Sequence, residues 1–228
     1  MKNIQIVIDG PAGAGKSTIS KLIAKKFNFL YIDTGAMYRA VGLKALRNNF
    51  DTKSDTEKII KMMDDIDISI SHGDDGQHIY LDGEDVTSKI RTPEVSIAAS
   101  DVSAIPEVRV KLASLQRKLA ETDNIIMDGR DIGSYVLPNA QIKIFLTASI
   151  EDRARRRYEE LIQNGMKVNY NDVKADIKYR DTNDSSRKVA PLKIPEGAIV
   201  IDTTGNTLEQ SVRLLTDTIK ERLSCFLK

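Results

Sequence analysis

Near the start of the sequence, a glycine-rich turn lies between a short apolar run and an amphipathic one. The apolar run is Ile4–Ile8, and the turn from Gly10 to Ser17 follows the pattern G-x-x-x-x-G-K-S. Beyond it, apolar residues recur at helical spacing, namely Ile19, Leu22, Ile23 and Phe27. A strand, a glycine loop and a helix N-terminus in this order direct backbone N–H groups at an anion. The segment therefore predicts a phosphate-binding loop.

Residue types within the loop indicate a nucleoside triphosphate. Lys16 can reach the β- and γ-phosphates, and the Ser17 hydroxyl can join the coordination shell of Mg²⁺. Glycines let the backbone approach phosphate oxygens closely. A turn that only connects strand to helix is the alternative, but the complete context disfavours it. The residues predicted to contact ATP are Gly10, Pro11, Ala12, Gly13, Ala14, Gly15, Lys16, Ser17 and Thr18.

A second acid follows another buried strand. Ile125–Met127 is apolar and ends on Asp128. A carboxylate at such a strand end helps to hold Mg²⁺ in phosphate-binding folds of this kind. We expect Asp128 to act from outside the first coordination sphere of the ion, with Ser17 as its protein ligand.

The rest of the chain alternates short apolar runs with amphipathic segments, which predicts an α/β fold with a parallel sheet of five strands flanked by helices. The predicted strands are Ile4–Ile8, Phe29–Ile32, Ile125–Met127, Ile142–Leu146 and Ala198–Ile201. One helical stripe consists of Val108, Leu112, Leu115 and Leu119. Another helix is expected from the N-cap Ser149 to the stop at Asn164-Gly165. The last opens on the capping box Thr207 to Gln210 and carries Leu208, Val212, Leu215, Ile219 and Leu223.

One segment departs from this alternation. Isoleucines 66, 68 and 70 alternate with polar residues, and the Gly73–Gly76 turn leads into the apolar run Ile79–Leu81. We expect a small antiparallel insert, about residues 62–92, inside one domain that spans residues 1–228. His72 and His78 flank the turn; we expect them to be solvated and assign them no function.

Composition excludes several classes of function. The 228 residues carry a net charge of +1, whereas nucleic-acid-binding proteins usually show a basic excess. Cys225 is the single cysteine, which excludes an internal disulfide and fits a reducing compartment. No apolar stretch reaches membrane-spanning length. We expect a cytoplasmic protein, a monomer, with small-molecule substrates and neither nucleic acid nor membrane as partner.

Arginines beside strand ends and turns narrow the function further. They are Arg39, Arg130, Arg180 and Arg187, together with Arg153, Arg155, Arg156 and Arg157 on one helix. Cations that surround several phosphates lower the barrier to phosphoryl transfer. Four arginines within five helical residues cannot share one face, so Arg153 and Arg157, at i and i+4, are the predicted phosphate-facing pair. The guanine-reading pattern Asn-Lys-x-Asp of GTPase switches is absent from the sequence.

Taken together, these segments resemble bacterial-type cytidylate kinases, a family of P-loop nucleoside monophosphate kinases, over nearly the whole chain. The resemblance rests on Gly10–Ser17, Asp33–Arg39, Ile90–Val95, Ala98–Ser100, Pro106–Arg109, Asp128–Asp131 and Arg180–Leu192. Mild departures are Ala12 and Thr34, where some relatives carry Ser. The resemblance implies Mg²⁺-dependent transfer of the γ-phosphoryl group of ATP to CMP or dCMP, with UMP a poor acceptor.

The resemblance also implies roles for individual residues. Arg39, Arg130 and Arg187 would hold the phosphate of the acceptor. The base would be read by Ser100, Arg109 and Asp131, and the sugar contacted by Thr34, Arg180 and Asp184. The catalytic group would comprise Lys16, Arg130, Asp128, Arg153 and Arg157, and residues 153–168 would form a mobile helical lid.

Two other functions stay open at this level. The chain could be a P-loop kinase for another monophosphate, or for an alcohol such as shikimate. An alcohol would need a base and would not need three arginines on a second phosphate. It could also be a regulatory module that binds ATP without turning it over. Incubation with ATP and each acceptor, scored for ADP, separates the three.

Overall fold

The computed structural model describes residues 3–73 and 76–226, with side chains described through residue 225. Eight strands and eight α-helices occur in these residues. In chain order they are β1 (Gln5–Asp9), α1 (Lys16–Phe27), β2 (Leu30–Asp33), α2 (Thr34–Arg47), α3 (Thr56–Met62), β3 (Ile68–Gly73), β4 (Gly76–Leu81), β5 (Glu84–Asp85), α4 (Pro93–Val102), α5 (Pro106–Leu119), β6 (Ile125–Gly129), β7 (Ile142–Thr147), α6 (Ile150–Gln163), α7 (Tyr170–Ser186), β8 (Ile199–Asp202) and α8 (Leu208–Phe226). A 3₁₀ turn spans Lys89–Arg91 and a π-helical turn spans Ile132–Val136.

Five strands form a parallel sheet in the order β2-β6-β1-β7-β8. β6 is buried along its whole length and β1 at every residue after Gln5, as a parallel sheet covered on both faces requires. The register aligns the carboxyl ends of three strands, because Asp33 pairs with Asp128 and Asp9 pairs with Gly129. Three carboxylates therefore meet at one edge of the sheet, where open α/β folds bind ligands.

The α/β fold and the five predicted strands are confirmed, each starting within a residue of the prediction and ending one or two residues later. Two residues of the predicted helical stripes do not face the core. Leu22 and Leu208 are each 44% exposed, whereas Ile19, Ile23, Leu215 and Ile219 are buried. The helices lie at the predicted positions, but the width of their buried faces depends on neighbouring elements that a periodic pattern does not specify.

The caps of two helices are also confirmed. The Ser149 hydroxyl accepts the N–H of Asp152 at the start of α6, and Gly165 has a left-handed φ of 77° after its end. At the start of α8, the Thr207 N–H donates to Gln210 Oε1 at 2.8 Å, and the Gln210 N–H donates to Thr207 Oγ1 at 3.2 Å. This reciprocal pair is the predicted capping box.

The antiparallel insert is present as β3, β4 and a short third strand, β5, that the sequence pattern did not predict. It packs against the outer edge of β2 through side chains rather than through a strand ladder. The Asp33 N–H donates to Gln77 Oε1 at 2.8 Å, and His72 Nε2 lies 2.8 Å from Tyr31 O. His72 is exposed, as expected, and His78 is half-buried, with Nδ1 2.9 Å from Asp85 Oδ2, so both histidines also make hydrogen bonds.

Buried apolar side chains cover both faces of the sheet. α1 and α8 pack on one face around Ile23 and Ile219, and α5 with the π-helical turn packs on the other around Ala113 and Ile132. A further cluster joins α2, α4, α5 and the insert. Among the described residues, no helix is long and apolar enough to cross a membrane.

Candidate active site

A cavity of about 560 Å³ opens at the carboxyl edge of the sheet. Loops and helices from both halves of the chain line it. They contribute residues 13–19 of the glycine loop and α1, five residues of β2 and α2 between Asp33 and Arg39, residues 128–131 at and just after the end of β6, and parts of α4, α6, α7 and α8. Of the loop residues predicted to contact ATP, Gly13 to Thr18 line the cavity, whereas Gly10, Pro11 and Ala12 do not.

The glycine loop holds its shape because of positions that only glycine fills well. At Gly10 the φ angle is 151°, and a Cβ atom there would lie 2.0 Å from Leu146 O. Gly15, with φ at 84°, leads into α1. Lys16 is 5% exposed, and its Nζ donates to Pro11 O at 2.8 Å. Burial, and then the nearby Arg130, lower the pKa of Lys16 well below its usual range.

Ser17 and Asp128 meet next to this lysine. Ser17 Oγ donates to Asp128 Oδ2 at 2.7 Å, and Tyr31 Oη donates to Asp128 Oδ1 at 3.0 Å. Burial, reinforced by the negative charge of Asp33, raises the pKa of Asp128 to about 6. Within the described ranges, no group of three or more His, Cys, Asp or Glu could hold a metal ion. One hydroxyl and one carboxylate fit Mg²⁺, which keeps several waters and takes most other ligands from phosphates.

Facing the glycine loop is a group of arginines on four different elements. Arg39 lies on α2, Arg130 follows β6, Arg157 lies on α6 and Arg180 lies on α7, and all four line the cavity. Burial, followed by Arg130 and Arg39, lowers the pKa of Arg180 to about 9. Burial also lowers the pKa of Arg39 to about 10. Guanidinium groups this close repel one another, and an anion between them would relieve that repulsion.

Asp184 organises part of this group. The Arg130 Nε donates to Asp184 Oδ2 at 2.9 Å, and Arg187 Nη2 donates to Asp184 Oδ1. Burial alone would raise the pKa of Asp184, but Arg187, Arg130 and Arg180 together hold it below its usual range. Asp184 thus fixes two arginines while leaving other donor N–H groups of each available. Thr34, the first residue of α2, donates from Oγ1 to Asp128 O at 2.7 Å.

The residues predicted to read a base come from α4, α5 and the turn after β6. Asp131 and Ser100 line it, whereas Arg109 is only 1% exposed. Arg109 Nη2 donates to Asp131 Oδ2, and Nη1 donates to Ser103 O at 3.0 Å. The ring of Tyr38 lies 5.4 Å from the Arg109 guanidinium carbon. Asp131 therefore has a buried counter-charge and also faces the cavity.

Arg153 requires a correction, because it does not line the cavity with Arg157. Its Nε donates to Ala148 O and its Nη1 to Ala12 O, each at 2.9 Å, and it pairs with Asp181 at 2.5 Å. The i, i+4 spacing places both residues on one side of α6, but it does not specify how each long side chain turns. Arg153 supports the glycine loop from behind.

Two arginines that the helical-face argument set aside do line the cavity. They are Arg155 and Arg156, beside Asn206, Thr207 and Ser211. Arg156 is fixed to the loop after β8, because its Nη2 donates to Thr203 O at 2.6 Å. Spacing on one helix could not reveal these contacts, since the partner loop is about 50 residues away along the chain.

Asp9 is a site residue that sequence reasoning missed. It is fully buried at the end of β1, where it accepts the N–H of Ile132 at 2.9 Å and of Gly133 at 2.7 Å. Burial raises the pKa of its carboxyl to about 7. Its position at a strand end, like that of Asp128, was the available signal. Asp9 connects the start of the glycine loop to the turn that carries Arg130 and Asp131.

This geometry defines a P-loop protein of the α/β class, with a group of arginines lining the same cavity as the loop. Comparison with solved structures agrees on the fold: a protein of unassigned function from Eubacterium ventriosum superposes with a TM-score of 0.51 at 11% identity, covering 96% of this chain and 99% of its own.

Sequence comparison is more specific. The model of the family described as "Cytidylate kinase" matches residues 6–221. The cytidylate kinase of Caldicellulosiruptor saccharolyticus is 57% identical over 210 residues, which cover 92% of each chain. The cytidylate kinase of Bacillus subtilis is 44% identical over 221 residues, which cover 97% of this chain and 98% of its own. The chain belongs to the cytidylate kinase family.

Proposed function

We propose that this protein transfers the γ-phosphoryl group of ATP to CMP or dCMP, giving ADP and CDP or dCDP. The observation that carries the proposal is the set of arginines facing the glycine loop across one cavity. A second phosphate-binding pocket is what a monophosphate acceptor requires, whereas an alcohol acceptor does not. The names of the relatives support cytidine as the base.

The reaction needs no general base. The second pKa of a phosphate monoester is about 6, so the acceptor phosphate is largely a dianion at neutral pH. One of its oxygens attacks the γ-phosphorus while the bond to the β–γ bridging oxygen breaks, and ADP leaves with the electron pair. What the protein supplies is alignment, neutralisation of charge and exclusion of water.

Each basic residue has a place in this scheme. Lys16 and the backbone N–H groups of the loop bind the donor phosphates. Arg39, Arg130 and Arg187 bind the acceptor phosphate, and Arg130 and Arg187 are aligned by Asp184. Arg157, which lies on α6 and lines the cavity, would neutralise charge on the transferring group. The bidentate fork of arginine suits phosphate better than a lysine would.

Magnesium fits the Ser17–Asp128 pair. Ser17 Oγ would bind the ion directly, and Asp128 would accept hydrogen bonds from waters in its coordination shell. Bound there with ATP, Mg²⁺ would supply positive charge on the β- and γ-phosphates. A neighbouring cation would also keep Asp128 ionised despite its raised pKa.

Recognition of the base would rest on Asp131 and Ser100. Cytosine carries an exocyclic amino donor where uracil carries a carbonyl oxygen, so a carboxylate attracts the first and repels the second. Arg109 would hold Asp131 in place as its counter-charge. Thr34, Arg180 and Asp184 would contact the sugar.

Four further expectations stay predictions. They are the limits of the insert (62–92), the limits of the lid (153–168), the monomeric state and the cytoplasmic location.

Lys16→Ala tests the donor site. With the ammonium removed, we expect kcat for ADP formation from ATP and CMP to fall by about 10²–10³-fold, the usual effect of losing one transition-state donor. Circular dichroism should match that of the wild type, because Lys16 lines the cavity. Near wild-type turnover by the folded variant would overturn the assignment of the loop.

A further inference from the structure

Asn183 on α7 makes a contact that none of the roles above explains. Its Nδ2 donates to Ser100 O at 2.9 Å and to Ser100 Oγ at 3.0 Å. A carbonyl oxygen can only accept, so the orientation of the amide is settled, with its NH₂ group toward Ser100. One half-buried side chain thus holds both the backbone and the hydroxyl of a residue that lines the cavity.

The backbone of α4 explains why this contact is needed. Ser100 lies in the last turn of α4, where carbonyl groups lack intrahelical partners. The Ala104 N–H, which would continue the helical pattern to Ser100 O, donates instead to Asp101 O. The Ser100 carbonyl is satisfied by Asn183 and by Ser103 Oγ at 2.7 Å. Without Asn183, this end of α4 would lose a bond that defines where Ser100 stands.

Asn183 also adjoins the phosphate side of the cavity. The next residue is Asp184, which binds Arg130 and Arg187. α7 therefore carries, on consecutive residues, a contact to the wall that faces the base and a contact to the arginines that face the phosphate. A shift of either wall would be transmitted to the other.

From this geometry we propose that Asn183 is a positioning residue for the choice of base. It holds the Ser100 hydroxyl in the position from which, together with Asp131, it would accept from the amino group of cytosine. The proposal rests on the function proposed above. Its consequence is that Asn183 affects discrimination between CMP and UMP more than it affects binding of ATP.

A second link between the same two helices provides a matched control. Tyr179, one turn before Asn183 on α7, donates from Oη to Asp101 Oδ1 at 2.5 Å. Neither Tyr179 nor Asp101 lines the cavity. Tyr179→Phe therefore removes a hydrogen bond between α4 and α7 without releasing Ser100.

The experiment measures kcat/KM for CMP and for UMP in the wild type, Asn183→Ala, Asn183→Asp and Tyr179→Phe. We expect both Asn183 variants to reduce the CMP to UMP ratio by about tenfold, which is the loss of one well-placed hydrogen bond. Tyr179→Phe should lower the melting temperature and leave the ratio within twofold. KM for ATP should change little in all three.

Ser100→Ala completes the test as a double-mutant cycle. If Asn183 acts through Ser100, adding Asn183→Ala to Ser100→Ala should leave the ratio unchanged. The proposal would be overturned if the CMP to UMP ratio were unchanged in both folded single variants of Asn183. It would also be overturned if Asn183→Ala reduced the ratio as much in the Ser100→Ala background as in the wild type, or if Tyr179→Phe reduced the ratio as much as the Asn183 variants do. Failure of the proposed function would be visible earlier, as a wild-type enzyme without preference for CMP.

Discussion

At the scale of single residues, Asp131 has two duties that can be separated by measurement. It faces the cavity, and it is also the counter-charge of Arg109, with both side chains almost fully buried. Removing one partner of a buried ion pair typically costs about 3–5 kcal/mol, because the other charge is left without compensation. Loss of stability alone therefore says nothing about base recognition.

The prediction for Asp131→Asn concerns the ratio of kcat/KM for CMP and UMP. An amide is not repelled by the uracil carbonyl and accepts more weakly from the cytosine amino group. The ratio should therefore narrow by at least about tenfold. Asp101→Asn is the control, since it also alters a buried carboxylate but one that does not line the cavity. If the wild type and Asp131→Asn had equal ratios of kcat/KM for CMP and UMP, the role of Asp131 would be limited to its ion pair with Arg109.

Replacing Arg153 should mainly lower stability, whereas replacing Arg157 should mainly lower turnover. Arg153→Ala removes bonds to Ala12 and Asp181 behind the loop, and we expect about 1–3 kcal/mol lower free energy of unfolding. Arg157→Ala removes a group at the cavity, and kcat should fall about tenfold or more with little change in melting temperature. Thermal unfolding and steady-state kinetics of both variants decide the matter. If Arg153→Ala were stable but had a greatly reduced kcat, Arg153 would face the phosphates together with Arg157, as the helical spacing predicts.

At the scale of elements, a carboxylate at the end of β1 links two of the loops that form the site. β1 ends on Asp9, which binds the N–H groups of Ile132 and Gly133 and so holds the turn after β6 against the glycine loop. Because its carboxyl is buried, its pKa is raised from 3.8 to about 7. A raised carboxyl pKa means that the folded state binds more protons than the unfolded state between these values.

The sign of the pH effect follows. As pH rises from about 4 to about 7, ionisation of Asp9 should lower the free energy of unfolding of the wild type, with no further contribution above that range. Asp9→Asn lacks this titration. The stability of the wild type relative to Asp9→Asn should therefore decrease across this window and then level off. Urea denaturation of both proteins at several pH values measures the difference, and a constant difference would contradict the raised pKa.

Sequence patterns revealed the elements unevenly, and the reasons are physical. The sheet strands and the helices α1, α5, α6 and α8 show clear apolar periods or caps. α7 is polar along most of its length and buries only Val173, Ile177 and Asp184, so no stripe marks it. α2 contains Gly42, a poor helix former, but a Cβ atom there would lie 2.9 Å from Ala99 N, so close packing on α4 requires it.

The same contrast holds for the site. The glycine loop, Asp128 and several arginines are visible as local motifs. The partners of Asp131, Arg153 and Arg156 are not, because each is contributed by an element distant along the chain. Asp9 and Asn183 carry no motif of their own, and only the register of β1 and the packing of α7 show what they hold.

At the scale of the whole molecule, one open sheet brings the glycine loop and a group of arginines to one cavity. The glycine loop follows β1, and the arginines come from α2, the turn after β6, α6 and α7. The cytidylate kinase family model matches residues 6–221. We propose that the glycine loop and these arginines bind ATP and a cytidine monophosphate together.

Joint binding is tested by measuring ADP formation from ATP and Mg²⁺ with CMP, dCMP, UMP, AMP, GMP or shikimate, each against ATP alone. We expect rapid turnover with CMP and dCMP, slow turnover with UMP, and no turnover above background with the others or with ATP alone. Preference for another acceptor, or ATP consumption that is independent of the acceptor, would contradict the proposed function.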